Sequence, residues 1–196
     1  MSKEVGLLII GAIISIIATM IGMFAQLIVQ SILKNKGRVK IYIKKVYSKA
    51  DSSTWGFVSS YSGTIFSVPM WIEFHNTKEK KEIIRNLNLK LFKNNKMLTN
   101  MVQASHFEVD EKKEIYANKG AYSFILNPTS ISRYELQFMI KKEEVMSDFD
   151  EVRLTYYDSK DKYHEIHILD IESPWEIGNQ SIDKDWITLN EKSKMV

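Results

Sequence analysis

Four histidines, at positions 75, 106, 164 and 167, are the residues best suited to proton transfer or metal binding in a chain that has no cysteine. His164 and His167 stand three apart. On a strand that spacing points them to opposite faces, so a shared ion would need a helix or a bulge there. His75 and His106 belong to separate segments without ligand spacing. Glu143, Glu144, Asp148, Asp150 and Glu151 crowd one stretch in the manner of a solvated acidic turn. Asp158, Asp161 and Glu165 lack the central glycine and fixed offsets of a calcium-binding loop. There is no nucleophile elbow, no H-E-x-x-H and no glycine-rich phosphate loop. The absence of cysteine excludes disulfides, thiolate metal sites and a thiol nucleophile. The residues therefore predict a non-catalytic protein, with no metal and no cofactor.

The elements that carry these residues are of two kinds. From residue 37 onward apolar and polar positions alternate with the period of a half-buried strand. Val39, Ile41 and Ile43 form the first set, and Met70, Ile72 and Phe74 the second. Leu87, Leu89 and Leu91 follow, then Tyr122, Phe124 and Leu126. Tyr134, Leu136, Phe138 and Ile140 form the next set, then Val152, Leu154 and Tyr156, and finally His164, Ile166 and Ile168. Weaker candidates lie near 98–108 and 114–117, and 108–119 reads as either a helical turn or a charged strand edge. Lys93-Asn94-Asn95-Lys96 has the chemistry of a hairpin turn, since asparagine tolerates positive φ. Seven such strands predict an all-β domain, an immunoglobulin-like sandwich or a small barrel.

Ahead of the strands lie 29 consecutive uncharged residues, Val5–Leu33. A hydrocarbon core about 30 Å thick needs roughly 20 apolar residues in a helix. Ten Leu, Ile or Phe residues between Leu7 and Ala25 contribute roughly −3 to −6 kcal/mol to insertion. The run is too long for a typical signal core and no small-x-small cleavage site follows it promptly, so it reads as an uncleaved anchor. Gly11, Ser15, Ala18, Gly22 and Ala25 recur in steps of 4, 3, 4 and 3, which places all five on one helix face. Small residues let membrane helices pack closely, so this face predicts self-association.

The chain carries a net charge of +3, but unevenly. Residues 1–45 hold seven Lys/Arg and one acid, whereas 170–196 hold six acids and three lysines. The basic excess lies beside the apolar run, so it does not mark a nucleic-acid surface. Lys34, Lys36 and Arg38 are placed to meet anionic lipid. With Lys40, Lys44 and Lys45 they outweigh Lys3 on the other side, so the positive-inside rule puts the N-terminus outside and the C-terminal domain in the cytoplasm.

The order of a strand ending in His75-Asn76-Thr77, a charged loop, Ile83-Ile84-Arg85-Asn86-Leu87-Asn88-Leu89, the Lys93–Lys96 turn, then Leu126-Asn127-Pro128 before Tyr134-x-Leu136-x-Phe138 resembles membrane-anchored immunoglobulin-like β-sandwich domains of bacteria. The resemblance covers roughly residues 64–170 and implies a fold. An N-terminal anchor followed by a β domain is also similar in architecture to membrane effectors of bacterial anti-phage systems.

Three segments follow: an anchor with its basic juxtamembrane stretch (1–36), a β sandwich (37–172) and a polar tail (173–196). The first strand leads away from the bilayer, so the loop 48–63 is expected at the far end and Lys78–Glu82 back near the membrane. Trp55, Phe57 and Tyr61, set among serines and glycines, form a candidate partner or ligand surface. The leading expectation is a single-pass cell-membrane protein whose cytoplasmic domain recruits a protein partner, with lipid and possible homo-oligomer contacts made by the helix. The alternative is an oligomerising effector that senses a ligand and perturbs the bilayer.

Overall fold

The computed structural model describes residues 3–61, 63–109, 112–116 and 119–189. Helix α1 (Lys3–Asn35) takes in the whole apolar run and buries none of its side chains against the rest of the chain. It is long and apolar enough to cross a membrane. At 1.5 Å per residue it is about 50 Å long.

The rest is mostly β structure in two large antiparallel sheets and a separate two-stranded one, and neither large sheet closes, so the small-barrel alternative is excluded. The first sheet is built on β3 (Gly63–Asn76). One edge of β3 pairs along its length with β10 (Ser130–Lys141), which also holds the short β6 (Val102–Gln103). Its other edge is shared by β1 (Val39–Lys45) and β2 (Gly56–Ser60). Pro69 sits where these two neighbours meet: its carbonyl accepts from Val46 N–H, so its missing donor falls in the gap between them. The second sheet runs β12 (Tyr163–Asp170), β11 (Glu151–Tyr157), β4 (Glu82–Lys93), with β5 (Lys96–Asn100) and β9 (Phe124–Leu126) sharing the far edge of β4.

One core takes side chains from both sheets. Phe66, Val68, Met70, Ile72 and Phe74 of β3, every second residue, are wholly buried and share that core with Leu87, Leu89 and Leu91 of β4 and Val152 and Leu154 of β11. This is the alternation seen in the sequence, and each such side chain contributes roughly 1.5–3 kcal/mol by leaving water. In β4 both Ile84 and Leu87 are buried although they are three apart. Asn86, at φ +53°, forms a bulge that resets the register between them. Asn94 and Asn95 adopt the positive φ expected of the hairpin turn.

Several expectations are corrected. The strand predicted from Tyr122 starts only at Phe124, because Tyr122 has φ +57° and its hydroxyl instead accepts the N–H of Gln103. The segment 48–63 is not all loop, since it contains β2. The stretch 108–119 enters the hairpin of β7 (His106–Val109) and β8 (Lys112–Ile115) and is a charged edge, not a helical turn; residues 110, 111, 117 and 118 lie outside those described. The tail is part of the domain as far as Leu189, its last described residue: β13 (Gly178–Asn179) pairs with β2, β14 (Ile187–Leu189) pairs with β1, and Trp175 enters the core. The β domain therefore runs to Leu189 and does not stop at residue 172.

Candidate functional site

Strand register defines the end of the sandwich nearest the helix. Val39 opposes Asn76, Ser130 opposes Asn76, Glu82 opposes Leu126, and Tyr157 opposes Tyr163. Only Lys36, Gly37 and Arg38 separate α1 from β1, so this end lies within about 11 Å of chain from the helix. Three connections meet here: 77–81, 127–129 and 158–162.

Two adjacent side chains, Asn76, which is buried, and Thr77, which is exposed, tie these connections together. Asn76 donates from Nδ2 to the carbonyls of Lys80 and Asn127, both at 2.8 Å, and its Oδ1 accepts Lys78 N–H at 3.1 Å. Thr77 binds the linker three times: its hydroxyl accepts Arg38 N–H at 2.9 Å and donates to the Arg38 carbonyl at 2.9 Å, and its own N–H donates to the same carbonyl at 3.1 Å. That approach requires Gly37, whose φ is +108° and whose hypothetical Cβ would stand 2.6 Å from the Thr77 carbonyl oxygen. The charged loop therefore returns to the helix-proximal end, as the strand geometry predicts.

Between these segments lies a cleft of about 330 Å³. Gly37, Arg38 and Val39 form one wall, Lys78, Glu82 and Ile83 another, and Asp158, Lys160, Lys162 and His164 a third. The two carboxylates are already engaged. Glu82, 4% exposed, receives Lys78 Nζ at 2.7 Å and the Ser159 hydroxyl, with Lys80 Nζ at 3.7 Å. Burial acts to raise its pKa, but the bonds from Lys78 and Ser159 outweigh it and hold the carboxyl below its ordinary value. For Asp158 burial again opposes ionisation, and the bond from His164 with the N–H groups of Lys162 and Lys160 prevails, so its pKa is also lowered. His164 meets Asp158 at 3.0 Å and stacks on Tyr156.

The charge of this end differs from that of the opposite one. Segments 34–38, 77–82, 127–130 and 158–162 carry eight Lys/Arg and four acids. At the far end, 93–96, 141–151 and 170–176 carry four lysines and eight acids. The domain is electrically polar along its strands.

The other predicted residues separate. Gly11, Ser15, Ala18, Gly22 and Ala25 do line one face of α1, within an arc of about 80° at 100° per residue, and among the described residues none of the five is buried. Thr19 hydroxyl donates to the Ser15 carbonyl, inside the helix. Lys34, Lys36 and Arg38 are exposed at the helix end. Trp55, Phe57 and Tyr61 do not form one surface. Phe57 is 5% exposed and packs on Phe66, Phe149 and Trp175. Trp55 packs against the core and donates Nε1–H to the Ser181 carbonyl. Tyr61 alone is fully exposed, at the far end. Met146, which the sequence reading passed over, is likewise fully exposed at that end. Its only signal was a large apolar residue inside an acidic stretch.

The histidines are held apart. His75 bonds Glu73 at 2.5 Å, His106 bonds Ser105, and His167 bonds Asp170 at 3.0 Å. Among the described residues no three His, Asp or Glu side chains form a group that could hold a metal ion. Comparison with protein-family models and with curated proteins finds no match.

Proposed function

We propose that this chain is a single-pass membrane protein whose β sandwich is a non-catalytic binding module held at the cytoplasmic face of the membrane. One observation carries the reading. An unburied apolar helix runs, through three residues, into the basic end of a domain whose opposite end is acidic. A helix with apolar residues on every face is stable in lipid and not in water. The basic end supports apposition to an anionic leaflet, and the far end, with exposed Tyr61 and Met146, is left to meet a protein partner. The sandwich is read as one of the bacterial membrane-anchored immunoglobulin-like domains that the sequence resembles.

The test is fractionation with topology mapping. The full chain stays in the membrane through carbonate extraction, and a reporter fused after Val196 is active only in the cytoplasm. Release by carbonate sinks the anchor, and a reporter active only outside sinks the orientation.

A second reading rests on the small-residue face of α1. Self-association of spans through that face would suit a membrane effector. Loss of membrane potential on overexpression supports that reading, and unimpaired potential at high expression removes it.

A further inference from the structure

We infer that the cleft at the helix-proximal end receives the phosphate of an anionic lipid headgroup, with Arg38, Lys160 and Lys162 as its cationic contacts. The inference deepens the proposed function and rests on its membrane anchor.

The cleft is chemically suited to an anion. Both of its carboxylates are engaged by groups within the fold, Glu82 by Lys78, Lys80 and Ser159, and Asp158 by His164 and two backbone N–H groups. Arg38 uses its backbone, not its guanidinium, to bind Thr77. Among the described residues neither Arg38 nor Lys160 has a carboxylate within 4.0 Å. Arg38 and Lys160 are exposed in the cleft lining, and Lys162, which also interacts within the fold, is exposed beside them. Ile83, 45% exposed, adds an apolar patch to the same wall. The volume, about 330 Å³, is at the lower end for a small-ligand site and suits a phosphoglycerol-sized group.

Position selects the membrane as the source. The uncharged run Val5–Leu33 is about 43 Å long at 1.5 Å per residue, close to the 40–45 Å of a bilayer with its headgroups. Lys34 then emerges at the headgroup layer, and tilt would bring it deeper. Arg38 follows four residues later. A cation so placed is attracted to an anionic leaflet within a Debye length of its surface.

The test uses the full chain in neutral detergent micelles, titrated separately with dioctanoyl phosphatidylglycerol, dioctanoyl phosphatidylcholine and inorganic phosphate. Phosphatidylglycerol should bind about tenfold more tightly than phosphatidylcholine, and Lys160→Glu/Lys162→Glu should remove about tenfold of its affinity. Lys160→Gln/Lys162→Gln should give a smaller loss at an unchanged melting temperature, which separates binding from folding. Lys34→Glu/Lys36→Glu, outside the cleft, should change affinity less than about threefold. Equal losses in the two glutamate pairs would mean diffuse surface charge and overturn the site. Inorganic phosphate binding as tightly as the lipid would assign a soluble phosphate and overturn the lipid source. Carbonate extraction of the same variants reports on the anchor separately, because the micelle titration does not depend on it.

Discussion

Trp55, Phe57 and Tyr61 look alike in the sequence, aromatic rings among small polar neighbours, yet they have three different environments. Pairing decides which. Phe57 stands directly opposite Phe66 in the β2–β3 ladder, and opposed residues point to the same face. Phe66 is wholly buried, so Phe57 is carried into the core with it. Tyr61 follows the last residue of the strand and points to solvent. Trp175, which reads as part of a polar tail, completes the aromatic cluster around Phe149. Phe57→Ala should therefore lower unfolding stability by about 3–5 kcal/mol, the range for a buried phenylalanine. Tyr61→Ala should change it by less than about 0.5 kcal/mol. Urea midpoints of the two variants check this, and similar midpoints would contradict the burial of Phe57.

At the scale of elements, the long strands were legible because a two-residue period survives wherever one face is buried, as in Leu87-Asn88-Leu89 and Tyr134 to Ile140. The short ones were fainter. Val102-Gln103 falls within the weak candidate at 98–108, whereas Gly178-Asn179 carries no pattern of its own and is a strand because β2 offers it an edge. The Asn86 bulge was equally hidden, since a single asparagine does not announce positive φ. The cleft could not be read at all, because Arg38, Glu82 and Lys160 come from segments joined only by tertiary pairing. Helix α1 was the most legible element, and its small-residue face yields a prediction of its own. If that face packs against a second copy, Ala18→Leu or Gly22→Leu should reduce crosslinked dimer in membranes about fivefold, equivalent to about 1 kcal/mol. Ile13→Ala, on the opposite face, should leave it unchanged. Equal crosslinking in all three variants would show that the stripe does not mediate contact.

For the whole molecule the governing quantity is the distribution of charge along the chain and along the sandwich. The basic segments beside α1 act twice. In the proposed topology they would resist transfer across the membrane during insertion, and in the folded protein they would face the anionic leaflet while the acidic end is repelled from it. The side chains that set the proposed topology are separable from the fold, because Arg38 binds Thr77 through its backbone and Lys34 and Lys36 lie outside the strands. Replacing Lys34, Lys36 and Arg38 by Gln leaves Lys40, Lys44 and Lys45 on the C-terminal side. Placing three added lysines after Ser2 then tips the balance toward the N-terminal side. Positive-inside logic counts basic residues close to the span and gives little weight to acids, so a large fraction of molecules should invert. A reporter fused after Val196 would measure that fraction, with the same β domain folded on either side. An unchanged cytoplasmic reporter would mean that something other than these lysines and Arg38 sets the orientation, such as folding of the β domain before the helix inserts.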